Sequence, residues 1–319
     1  MEEKTNLAKK ETGNLKLKLN KTLKHIKRDR QLLIIFLPCI VFYVVFRYIP
    51  MYGVTIAFKK YNIYQGILKS PWVGTKYFKQ FFSSPDFWLL FKNTLLLGLY
   101  TLLWTFPFPI IFALLLNEVK NQKFKKTVQT VSYLPAFLSI VVICSMVLDF
   151  LSPNNGIINN LLAALGFEKK YFIIKPEWFR TIYVTSEIWA NLGSGAIIYL
   201  AALAGVDPAL YEAAKVDGCT RFKSMIHITL PSIMPTIMTM FIIQSGNMFR
   251  IGYEKVLLLY NPATYSVADV FSTYVYRKGI VESNYSYATA VGLFESVIAL
   301  IILTLTNRLS RKLTDSSLW

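Results

Sequence analysis

Long apolar runs, each about the length of a membrane span, are the feature that most constrains how this chain can fold. The first lies within residues 31–50 and contains the run LLIIFLPCIVFYVVF. About 20 apolar residues in a helix cross the roughly 30 Å hydrocarbon core of a bilayer. Of the 319 residues, 54% are hydrophobic and only 17% are charged, which is more apolar side chain than a soluble core of this size can bury. The sequence therefore predicts an all-α integral membrane protein.

The apolar runs predict six transmembrane helices. Residues 1–30 precede them as a basic arm, which is typical of a solvated tail, although periodic leucines also allow a helix at the membrane surface. Because no small-residue cleavage site follows the first apolar run, we expect the arm to be retained. The remaining residues, 31–319, form one transmembrane domain. Its spans have approximate bounds of 31–50, 87–116, 127–150, 180–204, 228–249 and 287–307.

The distribution of lysine and arginine predicts the orientation of the chain. Ten of the 35 basic residues lie between Lys4 and Arg30, and others cluster in short loops at 120–126 and 215–223. Loops rich in lysine and arginine usually face the cytoplasm. We therefore expect both termini and the polar segment 205–231 in the cytoplasm. We attribute the net charge of +17 to membrane anchoring rather than to nucleic-acid binding.

The cysteines and histidines favour neither a metal site nor redox chemistry. Cys39 and Cys144 lie in apolar runs, Cys219 lies in a polar segment, and no CxxC pair occurs. His25 and His227 are far apart along the chain and have no nearby cluster of carboxylates or cysteines. The sequence also lacks the Walker A pattern GxxxxGK[ST], so we expect no ATP hydrolysis by this chain.

A polar segment between two apolar runs, EAAKVDGCTRFKSMIHITLP at residues 212–231, is the second informative feature. Asp207 stands before a proline and predicts a capped helix start, and Gly218 can end that helix. We expect Leu230 and Pro231 to turn the chain back toward the membrane, which makes the segment a cytoplasmic helix-turn-helix. Such a short, half-apolar unit can dock into a partner protein or pack on its own membrane helices, and the residues alone leave both possibilities open.

The spacing EAA-x3-G-x9-I-x-LP within this segment resembles the loop of permease subunits in binding-protein-dependent ABC importers. The resemblance implies a type I ABC importer permease fold, in which a cytoplasmic coupling helix sits in a groove of the ATPase subunit. It implies that Glu212 pairs with a basic residue of the ATPase, that two alanines allow close contact, and that Gly218 makes the turn. The coupling residues that it implies are Glu212, Ala213, Ala214, Asp217, Gly218, Leu230 and Pro231.

The resemblance extends through most of the chain, including residues 73–97, 197–218 and 257–279 and the terminal NRLSRKLTDSSLW. These stretches are similar to sugar-importer permeases of the maltose-permease type, in the branch associated with polysaccharide-derived oligosaccharides. The resemblance implies a pore-forming subunit in the bacterial cytoplasmic membrane, with no cofactor and no covalent chemistry of its own. The implied partners are a second permease subunit, two ATPase subunits that bind ATP-Mg, an extracytoplasmic solute-binding protein, membrane lipids and the oligosaccharide.

Several polar and aromatic residues in and beside the spans are candidates for the substrate pathway. Polar groups in a membrane are costly unless they are paired or face a cavity, and a sugar needs hydrogen-bonding groups and aromatic rings. The alternatives are hydrogen bonds between helices and, for residues beyond the fifth span, docking of an external binding protein. The candidates are Glu187, Trp189 and Asn191 in the fourth span, Gln244, Ser245 and Asn247 in the fifth, and Tyr253 and Glu254 just after it.

Two other functions compete with ATP-driven import. In an ion-coupled secondary sugar carrier, Glu187 or Glu295 would titrate during transport, and uptake would need no ATPase. A non-transporting membrane scaffold would use residues 212–231 to recruit an ATPase without any flux of sugar. Reconstitution with and without the ATPase distinguishes the three functions.

Overall fold

The computed structural model describes residues 28–314, which are almost entirely helical. The chain divides into two compact units, residues 1–55 and 56–319. The basic arm predicted for residues 1–30 lies almost wholly outside the described residues. Within the described part of the chain, extended pairing is limited to one isolated bridge between Lys59 and Trp72.

The first unit consists, where described, of the first predicted span. Helix α1 (Arg30–Tyr43) leads into a π-helical turn, Val44–Tyr48, and a short helix, Ile49–Met51. A proline clashes with the carbonyl four residues before it. The wider π turn ends two residues before Pro50 and contains Phe46, whose carbonyl is the one concerned. The apolar stretch that can span a membrane continues to Phe58, so it is longer than the predicted 31–50.

Three further straight spans belong to the second unit. Helix α2 (Asp86–Thr105) continues almost directly into α3 (Pro107–Glu118), and together they form one candidate span. The other two are helix α6 (Pro176–Ala204) and helix α10 (Tyr285–Thr314). These helices correspond to the predicted spans 87–116, 180–204 and 287–307, because long apolar runs specify a spanning helix locally.

The third and fifth predicted spans are bent pairs of helices. Helix α4 (Gln122–Tyr133) and the turn Leu134–Phe137 meet α5 (Ile140–Leu151) at 103°. The Ser139 hydroxyl accepts a hydrogen bond from the Val142 amide and so starts a new helix. Residues 221–232 meet helix α8 (Met234–Asn247) at 62°. The described residues therefore hold four straight spans, or six if each bent pair is one span.

Shorter helices fill the connections between the spans. Helix α7 (Pro208–Val216) follows the fourth span, and helix α9 (Tyr253–Leu259) follows α8. The others are Tyr52–Phe58, Gly66–Lys69, Lys76–Phe82, Ile157–Ala164, Phe172–Ile174, Arg221–Ser224, Met225–Thr229, Leu230–Ser232, Tyr265–Ala268, Phe271–Tyr276 and Arg277–Val281.

Helices α8 and α10 are antiparallel, and this arrangement separates the two ends of the second unit. Gly246 packs against Leu303, and Phe249 shares a buried aromatic cluster with Val291, nearer the start of α10. The polar segment that precedes α8 therefore lies toward the C-terminal end of α10. The connection 250–284 lies toward its beginning, at the opposite end of the bundle.

Candidate functional site

A polar cleft of about 510 Å³ lies among helices α2, α6 and α8. Four of the predicted pathway residues line it: Glu187, Asn191, Gln244 and Asn247. Gly98 of α2 lies directly against the backbone of Met248, the residue after α8. This close approach brings α2 and α8 together beside α6 and so forms the walls of the cleft. Its volume is in the range of small-molecule sites. The structure thus brings together polar residues of α6 and α8 that are 53 to 60 positions apart in the sequence.

Glu187 is held in place by two neighbours. Its Oε2 atom accepts a hydrogen bond from the Lys255 ammonium at 2.5 Å, and its Oε1 atom accepts one from Asn191 Nδ2 at 2.8 Å. The Lys255 ammonium also donates to the Tyr183 carbonyl at 3.0 Å and lies 4.4 Å from the centroid of that residue's ring. A charge in a membrane protein needs such pairing because isolated ions are strongly disfavoured there.

Lys255 and Arg250 are functional candidates that the sequence interpretation did not identify. Arg250 lines the cleft and is exposed, and within the described range it forms no salt bridge shorter than 4.0 Å, although its charge interacts at longer range with Glu295 of α10. Lys255 lies behind Glu187 on α9, one residue after the predicted Glu254. The sequence signal that could have indicated Lys255 is Glu187 in the fourth span, because a carboxylate inside a membrane is usually paired with a basic residue.

The other predicted pathway residues lie elsewhere. Trp189 lines a separate apolar cleft of about 580 Å³ between α5 and α6. Tyr253 stacks on Tyr276 with ring centroids 5.1 Å apart, and Glu254 is exposed; neither residue lines the polar cleft. Ser245 is buried and donates to the Ile242 carbonyl within its own helix.

The polar segment 205–231 adopts the predicted helix and turn. The Asp207 carboxylate caps α7 by accepting a hydrogen bond from the Ala209 amide at 2.9 Å. Gly218 follows the end of α7 and has a φ of +71°, a backbone conformation that is unfavourable for residues with a side chain. Glu212 and Ala213 are exposed on α7, as is Asp217 directly after it, and Ala214 is partly buried.

Leu230 and Pro231 do not turn the chain, contrary to the sequence interpretation. They continue the helix that starts at Arg221, and the bend follows at Ile233. The π turn Met225–Thr229 directly before them removes the steric conflict between Pro231 and the preceding carbonyls. The Tyr211 and Thr229 hydroxyls are 3.1 Å apart, and their hydrogen bond joins α7 to the helix that starts at Arg221. Neither hydroxyl was identified from the sequence.

A buried polar clamp fixes the connection after α9 to helix α2. The Asn93 amide nitrogen donates to the carbonyls of Ser266 and Asp269, each at 3.1 Å, and its oxygen accepts from Arg180 at 3.2 Å. The Asp269 carboxylate accepts a hydrogen bond from Arg277 at 2.6 Å. Burial lowers the pKa of the Arg277 guanidinium, but its hydrogen bond and charge pairing with Asp269 outweigh this effect and raise the pKa above its usual value.

The histidine and cysteine side chains in the described range form no group suited to a metal ion. No cluster of three His, Cys, Asp or Glu residues occurs among residues 28–314. His227 Nδ1 lies 2.9 Å from the Lys223 carbonyl, one turn back in the same helix. Cys39, Cys144 and Cys219 are free thiols.

Comparisons with known proteins identify the family. The model of the family described as "binding-protein-dependent transport system inner membrane component" matches residues 91–315. Protein LplB of Bacillus subtilis (strain 168) is 45% identical over 294 residues, which cover 92% of each chain. The "polygalacturonan/rhamnogalacturonan transport system permease protein YteP" of the same organism is 43% identical over 304 residues, or 95% of each chain.

A solved structure has the same fold. It is a crystal structure of a bacterial ABC transporter involved in the import of the acidic polysaccharide alginate, with a TM-score of 0.85 and 44% identity. The match covers 92% of this chain and 99% of that chain. These similarities confirm the predicted importer-permease fold and a transport subunit rather than an enzyme. The chain belongs to the family of inner-membrane components of binding-protein-dependent transport systems.

Proposed function

We propose that this chain is a pore-forming subunit of an ATP-driven importer for oligosaccharides derived from polysaccharides. The observation that carries the proposal is its 44% identity and TM-score of 0.85 to the permease chain of an alginate importer. A second structure of that transporter is in complex with a periplasmic protein bound to an alginate pentasaccharide. By analogy, an extracytoplasmic binding protein delivers the sugar to this chain, which sits in the bacterial cytoplasmic membrane with both termini in the cytoplasm.

The substrates that we propose include acidic oligosaccharides. The names of two relatives refer to polygalacturonan and to the acidic polysaccharide alginate. Arg250 supports this class, because it lines the cleft as an exposed cation and, in the described part of the chain, no carboxylate lies within 4.0 Å of it. A guanidinium is well suited to bind a carboxylate through paired hydrogen bonds.

The energy for transport comes, in this proposal, from two partner ATPases that bind ATP-Mg and dock on the segment 205–231. A second permease subunit completes the pathway. Glu212 and Ala213 support this role because they are exposed on a short capped helix, α7, rather than packed on the chain's own spans. Gly218 and the hydroxyl pair of Tyr211 and Thr229 give the segment a defined shape with which to transmit ATPase closure.

The structure gives less support to the competing functions. An ion-coupled carrier takes up sugar without an ATPase, so it gives no role to the exposed, capped helix α7 of the segment 205–231. A scaffold that only recruits an ATPase has no use for a polar cleft among its spans. ATP-driven import uses both the cleft and the segment.

The test is reconstitution of the complete transporter in liposomes with Glu212→Arg. Charge reversal should weaken ATPase docking and lower ATP-dependent uptake of labelled oligosaccharide by about tenfold or more, since a buried interfacial ion pair contributes at least about 1.4 kcal/mol. The matched control is Glu168→Arg, which reverses another exposed carboxylate outside the segment. We expect normal uptake in that variant. Uptake by the Glu212→Arg transporter without any ATPase would contradict the proposal.

A further inference from the structure

The geometry points to Lys255 as a positioning residue for transport. Its buried ammonium holds the Glu187 carboxylate in one orientation, so that Glu187 and Asn191 together bind two neighbouring hydroxyl groups of a sugar in the cleft. This inference rests on the proposed function and names the part of the oligosaccharide that the cleft recognises.

Lys255 is buried, and several neighbouring groups contact its ammonium. Its side chain is 5% exposed, whereas that of Glu187 is 30% exposed and lines the cleft. The ammonium contacts the Glu187 carboxylate, the Tyr183 carbonyl and the Tyr183 ring. Because three contacts surround one buried cation, the ammonium has little freedom to move. Lys255 therefore stands behind the cleft and acts on it through Glu187.

The Glu187 carboxylate keeps accepting capacity after these contacts are made. An ionised carboxylate can accept about four hydrogen bonds, and here one bond to Lys255 and one to Asn191 are formed. Asn191 donates through Nδ2, and its Oδ1 atom accepts no hydrogen bond within the described range. Fixed acceptors thus stand side by side at the wall of the cleft.

Side-by-side acceptors suit adjacent hydroxyl groups, which pyranose rings present along their edge. Each hydroxyl donates one hydrogen bond, and bonds to a charged acceptor are stronger than neutral ones. Lys255 also neutralises the charge of Glu187, so an anionic sugar can approach this wall without net repulsion. We therefore assign the hydroxyl edge of the sugar to Glu187 and Asn191, and its carboxylate to Arg250.

A purely structural role for the ion pair makes a different prediction. The pair links α9 to α6, so it could serve only to hold the two helices together. In that case, replacing both charged residues by neutral ones of similar size should restore transport, because buried ion pairs are often replaceable without loss of stability. In the positioning role the same double substitution restores stability but not sugar binding, because the charged acceptor is gone.

The experiment measures KM and kcat for ATP-driven uptake by the complete transporter in liposomes. The probe is an alginate pentasaccharide or a trigalacturonate, whichever the wild type transports faster. The variants are Lys255→Met, Lys255→Arg, Glu187→Gln and the double variant Glu187→Gln/Lys255→Met. The matched control is Lys278→Met, which breaks another lysine–glutamate pair, 2.8 Å from Glu282, outside the cleft. Thermal unfolding of each purified variant is recorded in parallel.

We expect Lys255→Met to raise KM by about tenfold with kcat changed less than twofold, since it removes an interaction that orients the bound sugar. Lys255→Arg should recover most of that loss. The double variant should regain thermal stability and retain a KM at least about fivefold above the wild type. Lys278→Met should match the wild type.

Two results overturn the inference. If the double variant recovers both stability and the wild-type KM, Lys255 is only a structural link. If Lys255→Met leaves KM within twofold of the wild type, the residue positions nothing that the sugar contacts. Both results leave the proposed function intact, because the wild type still transports. If the wild-type transporter moves neither probe, the proposed acidic substrate class fails and the inference fails with it.

Discussion

At the scale of single residues, glycines decide how closely the helices approach. An added Cβ at Gly193 of α6 would overlap the Ser132 carbonyl and the Tyr133 ring of α4. At Gly98 an added Cβ would overlap the Met248 carbonyl. Small residues let helix backbones come close in membrane proteins. These two positions therefore set how closely α6 approaches α4 and how closely α2 approaches the end of α8.

We predict that Gly193→Ala destabilises the protein by about 1–3 kcal/mol, because the methyl group must displace backbone rather than a flexible side chain. Thermal unfolding of the purified protein in detergent measures the effect. Gly205→Ala, just after the end of the same helix, is the control, since its added Cβ lies 3.5 Å from the Ala202 carbonyl in ordinary contact. Equal unfolding temperatures for the two variants would show that α4 and α6 are not closely packed.

At the scale of elements, local sequence signals located most helices but not their bends. Asp207 and Gly218 behave as their residue types predict, because capping and positive φ are local properties. Pro231 was expected to turn the chain, yet a π turn before it allows the helix to continue to Ser232. A π turn of this kind could not be predicted from the sequence, because the hydrogen-bond register of a helix depends on how its neighbours pack.

The clamp at Asn93 is what holds the connection after α9 against α2. Asn93→Ala removes the hydrogen-bond donors of two carbonyls, the buried one of Asp269 and the partly buried one of Ser266, and one acceptor from Arg180. We predict a loss of about 1–3 kcal/mol of stability, since buried polar groups left without partners are costly. Asn160→Ala is the control, because Asn160 is exposed and makes one long bond of 3.4 Å to the Asn155 carbonyl.

Thermal unfolding and amide hydrogen exchange of residues 261–276 measure the loss of the clamp. We expect faster exchange there in Asn93→Ala and unchanged exchange in Asn160→Ala. Exchange that does not differ between Asn93→Ala and the wild type would mean that other contacts hold this connection.

At the scale of the whole molecule, apolar side chains cover much of the surface of the spans. On α10, Leu300 is 59% exposed and Ile301 is 47% exposed, although both lie within an apolar candidate span. A soluble monomer rarely carries a continuous apolar surface of this kind. These side chains therefore face lipid or another membrane subunit, as expected for a multi-pass membrane protein.

We predict that Leu300→Arg impairs membrane insertion or assembly, because an arginine near the centre of a membrane helix costs about 2.5–3.5 kcal/mol. The measurement is the amount of protein in washed membranes relative to total protein. Leu165→Arg is the control, since Leu165 is 73% exposed and lies outside the candidate spans. Normal amounts of Leu300→Arg protein in the membrane would place this face of α10 in water.

The membrane fold, the helices in which the approximate spans lie and the helix and turn of the segment 205–231 could all be predicted from the sequence. Each depends on residues close together in the chain: an apolar run long enough to cross a bilayer, or a cap, a turn and a motif at fixed spacing. The sequence also identified Glu187 as costly in a membrane, but not the group that stabilises it there.

Which polar residues share the cleft could be seen only after the helices were packed together. Lys255 reaches Glu187 across 68 positions of the chain, while its neighbours Tyr253 and Glu254 point elsewhere. Burial and charge pairing depend on which helices become neighbours and on which side each residue faces. Both arise from packing between segments that are distant in the sequence. Hydropathy and spacing along the chain therefore do not predict which residues pair.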